Sequence, residues 1–339
     1  MFIFHHNDDD GRCAAAIIYN EIGMDRMMPA NNCIEYSHGM KMPDIDMDTI
    51  RDNDLIFIVD LALDDVIYGL IEKIYNAKPN CTIVHIDHHK TTLDYVRSLE
   101  VKYLGHYDGV AYGSMHTFYR MGISASMLCW AYVCMSEEDR AKIGQQDDPF
   151  DFTETYSHIG VNFGKPTYRE IRIPMVVRFI NDWDVWNHEI SGTTEFHYGF
   201  SMETDKHPAS KTWRDILYSS NDMLIDGKYV RPGSFILKYV KSENEHLMKH
   251  AFTWTIDGHT VLCLNGSGSS MVFGDMIKEY PAVCLFSYHG EKGMWSYSMY
   301  SDAETGIDVS EICKKNGGGG HAHAAGWTSP QLFFDEKWL

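Results

Sequence analysis

The sequence predicts an α/β protein with an N-terminal doubly wound parallel sheet, a helical connector and a smaller C-terminal α/β domain. Three apolar runs, at 2–6, 55–61 and 81–86, have the length and composition of strands that are buried on both faces. Helix-like segments at 11–23 and 63–77 lie between these runs. Strands that alternate with helices are typical of doubly wound sheets, so we assign the first part of the chain to that class.

The sequence pattern changes twice along the rest of the chain. Apolar residues between 205 and 250 recur near helical spacing with charges between them, which indicates a helical connector. After residue 252 the chain has β-rich runs punctuated by glycine, which indicate a second domain. We therefore predict domains at 1–195 and 251–339, with the connector at 196–250. Three further segments are predicted to contain helix: 110–135, 171–190 and the stretch that follows the glycines at 317–320.

Composition limits the classes of function. The chain has 339 residues and a net charge of −19, so it lacks the basic surface that binding of long duplex nucleic acid requires. No apolar run approaches the roughly 18–20 residues that span a bilayer, and the N-terminus does not resemble a signal peptide. The eight cysteines are scattered without a CxxC pair, so we expect reduced thiols. We expect a cytoplasmic protein that does not bind membranes.

The stretch HHNDDDG at 5–11 follows the first predicted strand. His6, Asp8 and Asp10 alternate, so a bent loop can turn all three toward one point. Ligands of open α/β sheets bind at the carboxyl ends of strands, and histidine with carboxylates suits Mn²⁺ or a similar ion. The same residues would also suit a polar cap of the following helix without a metal.

Three more acidic segments follow along the chain. Asp60 lies in an apolar run, where a carboxylate is costly to bury without a cation or hydrogen bonds, although it would also suit a helix cap. HIDHHK at 85–90 ends the third strand with adjacent histidines, whose side chains should point in different directions. Asp182 and Asp184 lie in INDWDVW, where packing between domains is the alternative explanation.

These segments are informative together because the carboxyl ends of neighbouring parallel strands lie side by side. Carboxylates that converge without a cation repel one another. Two metal ions bridged by one aspartate would remove that conflict, generate a hydroxide nucleophile and bind phosphate oxygens. The combined pattern therefore predicts metal-assisted chemistry on a phosphate.

The order of these motifs resembles the DHH phosphoesterase superfamily, whose catalytic domain would occupy 1–195. The resemblance implies two metal ions, with His6 and Asp8 at the first, Asp10 and His88 at the second, and Asp60 between them. Asp184 would complete the second site, with Asp182 as the alternative. The resemblance also implies catalytic roles for two further residues: His89 would contact the substrate, and Asp87 would orient the histidines.

GGGGHAHAAG at 317–326 resembles the glycine-rich motif of the DHHA1 domain, which implies that 251–339 binds substrate. Many relatives carry an arginine on the strand before this motif, but here that stretch reads SMYS at 298–301. Tyr300 would instead stack on a base. The predicted substrate-binding residues are Gly318, Gly319, Gly320 and His321 from this motif, with Tyr300 and the positive charge of Arg12 in addition.

The resemblance to the compact oligoribonuclease members implies a manganese-dependent phosphodiesterase that shortens single-stranded oligonucleotides to mononucleotides. Two Mn²⁺ would bind per active site, with Mg²⁺ or Co²⁺ as substitutes. A cyclic or linear dinucleotide, or 3′-phosphoadenosine-5′-phosphate, is an alternative substrate. A metal-dependent nucleotide sensor with little turnover is the alternative from another class. The oligomeric state is left open, with a homodimer as one option.

Overall fold

The computed structural model describes residues 1–37, 42–92, 95, 114–134, 156–162, 165–171, 173–219, 222–304 and 306–333. For 114, 156–162, 165–171 and 321 it describes only the backbone. The chain divides into two compact units, Met1–Ile236 and Leu237–Leu339. Each unit has its own sheet and its own buried apolar clusters.

The first unit contains a five-stranded parallel sheet, as the sequence predicts. The strand order is β2-β1-β3-β4-β5, and every neighbouring pair is parallel. The carboxyl ends of the strands therefore lie along one edge of the sheet. The strands are β1 (Phe2–His6), β2 (Cys33–Tyr36), β3 (Leu55–Val59), β4 (Thr82–Asp87) and β5 (Ser114–Tyr119).

Helices cover both faces of this sheet, so the predicted doubly wound α/β class is confirmed. Strand side chains such as Phe57 and Val84 pack with α1, α3 and α4 on one face, and Ile56 and Ile83 pack with α2 on the other. Up to Met248, the α-helices among the described residues are α1 (Asp9–Ile18), α2 (Asp65–Ala77), α3 (Ala125–Cys134), α4 (Met175–Asp184), α5 (Thr193–Phe200), α6 (Lys211–Leu217), α7 (Asp222–Ile225) and α8 (Arg231–Met248), which continues into the second unit. A hairpin of β6 (Tyr156–Asn162) and β7 (Lys165–Ile171) precedes α4.

The second unit contains a six-stranded mixed sheet in the order β12-β13-β11-β10-β9-β8. Only β9 and β10 run parallel, and the other pairs are antiparallel. Helix α9 (Val309–Lys315) packs on one face, and a 3₁₀ segment (Ser270–Lys278) packs on the other. The strands are β8 (Phe252–Ile256), β9 (His259–Asn265), β10 (Ala282–His289), β11 (Met294–Tyr300), β12 (Gly319–His321) and β13 (Ala324–Ser329).

Two of the predicted helices are wrong, at least in part. Within 110–135, the residues Ser114–Tyr119 form the edge strand β5, and helix begins only at Ala125. The strand sequence SMHTFY contains threonine and aromatic residues, which favour extended backbone. The stretch after the glycine run is also strand, because β12 and β13 pair antiparallel. Within the described ranges, no helix combines the length and apolarity needed to cross a bilayer.

Candidate metal centre

The end of β1 and the start of α1 form the first part of the centre. Asp8 caps α1, because its Oδ1 accepts the N–H of Gly11 at 2.8 Å. Its Oδ2 lies 2.6 Å from Nδ1 of His6. Burial alone would raise the pKa of Asp8, but the hydrogen bond and charge of His6, together with the N–H of Gly11, lower the pKa to about 2. Asp8 therefore caps the helix with Oδ1 and contacts His6, its predicted partner as a metal ligand, with Oδ2.

Gly11 lets the helix begin directly against the strand end. A Cβ at this position would lie 2.6 Å from the carbonyl oxygen of His6, which is closer than any side chain tolerates. The glycine thus sets how tightly the chain turns between His6 and the helix. This turn brings the side chains of His6, Asp8 and Asp10 to the same edge of the sheet.

Asp10 is buried and connects the first strand end to a distant helix. Its two carboxylate oxygens accept the backbone N–H groups of Ala125 at 2.7 Å and Ser126 at 2.9 Å. These are unpaired donors at the start of α3, where a carboxylate is favourable. Oδ2 of Asp10 also lies 3.9 Å from Nε2 of His88.

Asp60 lies at the centre of the cluster, directly after β3. It is only 2% exposed and has φ of +56°, a left-handed conformation that is uncommon outside glycine, asparagine and aspartate. Its Oδ1 lies 3.3 Å from Nε2 of His88, and its Oδ2 lies 3.8 Å from Nδ1 of His6. The alternative role as a helix cap is not observed, because Asp64 caps α2.

The environment of Asp60 is unfavourable for a negative charge without a cation. Burial, together with the nearby carboxylates of Asp8 and Asp10, raises its pKa well above the ordinary value. Oδ2 of Asp60 is buried and has no hydrogen-bond partner among the described residues. A buried carboxylate oxygen with no donor is costly unless a cation binds it.

The predicted opposite directions of His88 and His89 are wrong, because both follow the end of β4 and their ring centroids lie 4.5 Å apart. Their ring nitrogens nevertheless have different partners. Nε2 of His88 lies near Asp60 and 3.5 Å from Oδ2 of Asp184. Nδ1 of His89 instead donates to Oδ1 of Asp87 at 2.7 Å. Burial would lower the pKa of His89, but the hydrogen bond to Asp87 and the nearby carboxylate charges together raise the pKa. His89 is therefore held by Asp87, whereas His88 faces the carboxylates.

Asp87 is fully buried and is itself held in place. Its Oδ2 accepts hydrogen bonds from the backbone N–H of His89 and from the hydroxyl of Thr92. Thr92 in turn accepts the N–H of Leu63 at 2.7 Å. Although burial opposes it, the hydrogen bond from His89 lowers the pKa of Asp87. Of the two histidines that Asp87 was predicted to orient, it holds His89, by hydrogen bonds to the ring and to the backbone N–H of that residue.

The two aspartates at the end of α4 have different contacts. Asp182 is buried and accepts the N–H groups of Glu189 and Ile190 and the hydroxyl of Thr193, so its carboxylate holds the following loop. Asp184 faces the cluster, where its Oδ2 is buried without a hydrogen-bond partner in the described structure. Burial and the carboxylate of Asp10 raise the pKa of Asp184 well above the ordinary value.

The side chains form three overlapping groups that could hold a metal ion. Within each group the candidate ligand atoms lie within 4.8 Å of one another. Their chemistry, with imidazole nitrogens and carboxylate oxygens, fits divalent first-row ions. The groups are His6, Asp8 and Asp60; Asp10, His88 and Asp184; and Asp60, His88 and His89. Because Asp60 belongs to two of them, the arrangement fits a pair of ions that share one carboxylate.

A cleft of about 270 Å³ adjoins these carboxylates. Three of its lining residues are the candidate ligands Asp8, Asp10 and Asp184. The other lining residues are Asp9, Phe179, Ile180, Trp183, Phe196 and His197. The sequence offers packing between domains as an explanation for the tryptophan segment, and it does not single out His197. His197 lies on a different helix from Trp183, and no sequence pattern links the two residues. Only the fold therefore reveals that aromatic side chains line this cleft together.

The predicted substrate-binding residues lie in several places. Arg12 donates to Oε2 of Glu35 at 2.8 Å. In the second unit, Tyr300 is half-buried against the apolar cluster that includes Leu285. Gly318 lies against β13, where a Cβ would be 2.0 Å from the carbonyl oxygen of Gly326. The side chain of His321 lies outside the described structure, and the binding roles of this whole set remain predictions.

No protein-family model and no curated protein matches this chain. Solved structures are similar at low identity. The pGpG-specific phosphodiesterase PggH from Vibrio cholerae is 12% identical, with 97% of this chain and 93% of that chain covered and a TM-score of 0.45. The DHH domain of a protein described as a member of a family of ribosomal proteins is 14% identical, with coverages of 96% and 81% and a TM-score of 0.48.

RecJ from Thermus thermophilus, in complex with Mn²⁺, is a third similar structure. It is 12% identical, has a TM-score of 0.44, and the match covers 96% of this chain and 48% of RecJ. This chain therefore spans about half the length of that protein. All three identities lie at 12–14%, and all three TM-scores lie below 0.5.

Proposed function

We propose that this chain is a two-metal phosphoesterase of the DHH type that hydrolyses short oligonucleotides to mononucleotides. The observation that carries the proposal is the position of Asp60. Its two oxygens face different ligand groups, and one of them is buried with no hydrogen-bond donor among the described residues. A shared, buried carboxylate between histidine–aspartate groups suits a pair of divalent cations and little else.

The residues divide between the two cations as the motifs imply. His6, Asp8 and one oxygen of Asp60 would hold the first, and the geometry of these atoms fits that role. The second would be held by Asp10, His88, Asp184 and the other oxygen of Asp60. When bound, the two ions supply Lewis-acid charge to a phosphate and lower the pKa of an attacking water. Mn²⁺ is our choice because carboxylates, which suit Mn²⁺, make up most of both ligand sets, while the histidine at each position favours a first-row ion over Mg²⁺.

His89 is the candidate to act on the substrate directly. Asp87 fixes its Nδ1–H, which leaves Nε2 to contact a phosphate oxygen or the leaving oxygen. The hydrogen bond to Asp87 favours the protonated ring, so His89 can donate a proton to the oxygen that departs. Thr92 keeps Asp87 in this orientation from the other side.

A short single-stranded substrate is proposed on the basis of charge and size. The net charge of −19 opposes the binding of long polyanions. The cleft beside the carboxylates is small compared with typical ligand pockets of roughly 300–1,000 Å³. Both features favour a substrate with few phosphates. The glycine-rich strand Gly319–His321 of the second unit would contribute to binding, as its resemblance to the DHHA1 motif implies.

Turnover of a substrate panel tests this proposal. Purified protein with Mn²⁺ is incubated with a 5′-phosphorylated diadenylate, a short and a long oligoadenylate, a cyclic dinucleotide and 3′-phosphoadenosine-5′-phosphate. We expect mononucleotide release, fastest from the diadenylate and the short oligomer. Preference for the long oligomer would contradict the short-substrate proposal. Preference for the cyclic or the bisphosphate compound would favour those alternatives within the same chemistry.

The sensor alternative makes a different prediction in the same panel. A nucleotide-binding sensor would bind one of these compounds in the presence of Mn²⁺ without releasing product. The geometry favours an enzyme, because every carboxylate and imidazole that the motifs imply as a ligand, apart from the alternative Asp182, lies in the cluster. His89 also adds a proton donor that a binding site would not need. Binding without turnover of any compound would favour the sensor and reject the enzyme.

A further inference from the structure

The cleft beside the metal centre is lined by two chemically different sets of residues, called here its acidic and its aromatic side. Asp8, Asp10 and Asp184 form the side that belongs to the centre. The remaining side is dominated by aromatic rings, with Trp183 and His197 partly exposed and Phe196 buried. Trp183 directly precedes Asp184 on α4, so the aromatic side begins one residue from a proposed ligand.

Trp183 and His197 form a close parallel stack. Their ring centroids lie 3.6 Å apart, and the ring planes differ by 12°. Trp186 and His188 contact Trp183 edge-on, at centroid distances of 5.3 Å and 5.0 Å. Three neighbouring rings therefore hold the indole in place before any ligand arrives, which lowers the entropic cost of stacking a further ring on the pair.

The aromatic side is suited to an uncharged flat group. Burial lowers the pKa of His197 to about 4, so the imidazole is neutral at physiological pH. Asp9, the other acid that lines the cleft, accepts a hydrogen bond from Lys206 at 2.8 Å, which offsets its charge. A phosphate would be repelled by the acids unless cations were present, whereas a nucleobase carries no charge and has an aromatic face to stack.

We propose that the Trp183–His197 stack binds the nucleobase of the nucleotide whose phosphate is cleaved at the neighbouring centre. This inference rests on the proposed function and adds a base-binding subsite to it. Stacking is tolerant of sequence because every base has an aromatic face. The cleft of about 270 Å³ accommodates one nucleoside, so this subsite holds the nucleoside on one side of the scissile phosphate.

His197→Ala tests the subsite because it removes one ring of the stack on a helix that carries no proposed metal ligand. The substrates are a diadenylate and its two analogues that each lack one base. We expect KM for the diadenylate to rise about ten-fold, the scale of a lost base–aromatic stack, with little change in kcat. The analogue that lacks the base bound by the stack should have the same KM in the variant and in the wild type, because it has no ring to lose contact. Trp183→Phe, which keeps a ring, should retain most of the affinity.

His246→Ala is the matched control, because His246 is an exposed histidine of α8 that does not line the cleft. An equal rise in KM for all three substrates, or no rise for any of them, would overturn the base-binding subsite. The two-metal proposal would survive that result, since the wild type would still hydrolyse the diadenylate.

A binding measurement keeps the two proposals apart if no substrate is hydrolysed. Ligand-observed NMR without metal compares adenosine with ribose, neither of which carries a phosphate. We expect saturation transfer to adenosine from the wild type and from His246→Ala, and a much weaker signal from His197→Ala. Equal signals for adenosine and ribose, or an unchanged adenosine signal in His197→Ala, would reject the subsite.

Discussion

Asp60 presents Oδ1 to Nε2 of His88 at 3.3 Å, while its Oδ2 receives no hydrogen bond from any described residue. One oxygen of the carboxylate thus contacts a histidine of the centre, and the other has no hydrogen-bond donor among the described residues. The backbone accepts this position only with φ of +56°, in the left-handed region. A residue in that conformation is held by its surroundings, which is a common property of functional sites.

Replacing the shared carboxylate should remove both cations and yet stabilise the metal-free protein. Asp60→Asn is the suitable change, because asparagine tolerates the left-handed backbone and alanine does not. We expect loss of both Mn²⁺ ions by elemental analysis and loss of hydrolysis. Without metal, the free energy of unfolding should rise by about 1 kcal/mol, because a poorly compensated buried carboxylate is removed. Metal-free wild type that is as stable as the variant, or two ions still bound to the variant, would contradict the shared role.

Asp182 and Asp184 should respond in opposite ways to the same change. Asp182→Asn disturbs a carboxylate that accepts three hydrogen bonds, so the free energy of unfolding should fall by roughly 1–3 kcal/mol. Its metal content should stay at the wild-type level. Asp184→Asn should lose metal and activity without destabilising the metal-free fold. Chemical denaturation and metal analysis of both variants provide the comparison, and a reversed pattern would exchange the two roles.

The orientation of His89 should depend on Thr92. Thr92→Val keeps the shape of the side chain but removes the hydroxyl that donates to Asp87. We expect kcat to fall about ten-fold, as for other residues that orient an active-site imidazole, while KM and metal content change little. Thr92→Ser should restore most of the activity. A variant that loses metal in proportion to activity would show instead that Thr92 supports the cations.

The stability of the first unit should fall with acid because His197 stays neutral in the fold. Burial lowers its pKa from 6.5 to about 4, so below pH 6.5 the unfolded chain binds a proton that the folded chain excludes. The stability that His197 contributes is complete above pH 6.5 and is lost as the pH falls toward 4. His197→Phe should reduce this loss of Tm relative to wild type, and His246→Phe should not. Parallel Tm profiles for wild type and His197→Phe would reject the assignment.

The sequence predicted the parallel sheet and the meeting of its polar strand ends for a simple physical reason. Apolar runs indicate strands buried on both faces, and parallel strands place His6, Asp60 and His88 at the same edge. The choice between Asp182 and Asp184 could not be made from the sequence, because it depends on which carboxylate the following loop binds. The loop contacts involve residues up to Thr193, and no local pattern reports them.

The parts that the sequence missed depend on long-range contacts. Ser114–Tyr119 forms a strand because it pairs with the edge of β4. A helix prediction for 110–135 rests on local sequence alone and does not take this pairing into account. The Trp183–His197 stack joins two helices, so neither residue alone indicates an aromatic cleft. In the second unit, Gly318 and Gly320 admit close approach of β13, and the helix-like composition after them gives way to strand pairing.

The hydrogen bonds from Ala125 and Ser126 to Asp10 also set an order of events during synthesis. Asp10 is made early, but the N–H groups that hold its carboxylate belong to residues 115 and 116 positions further along the chain. A chain still on the ribosome can therefore form β1, β3 and β4 while this ligand is not yet fixed. Asp184 emerges later still. The nascent chain would thus complete the proposed second cation site, and with it the proposed hydrolytic activity, only when most of the first unit has been synthesised.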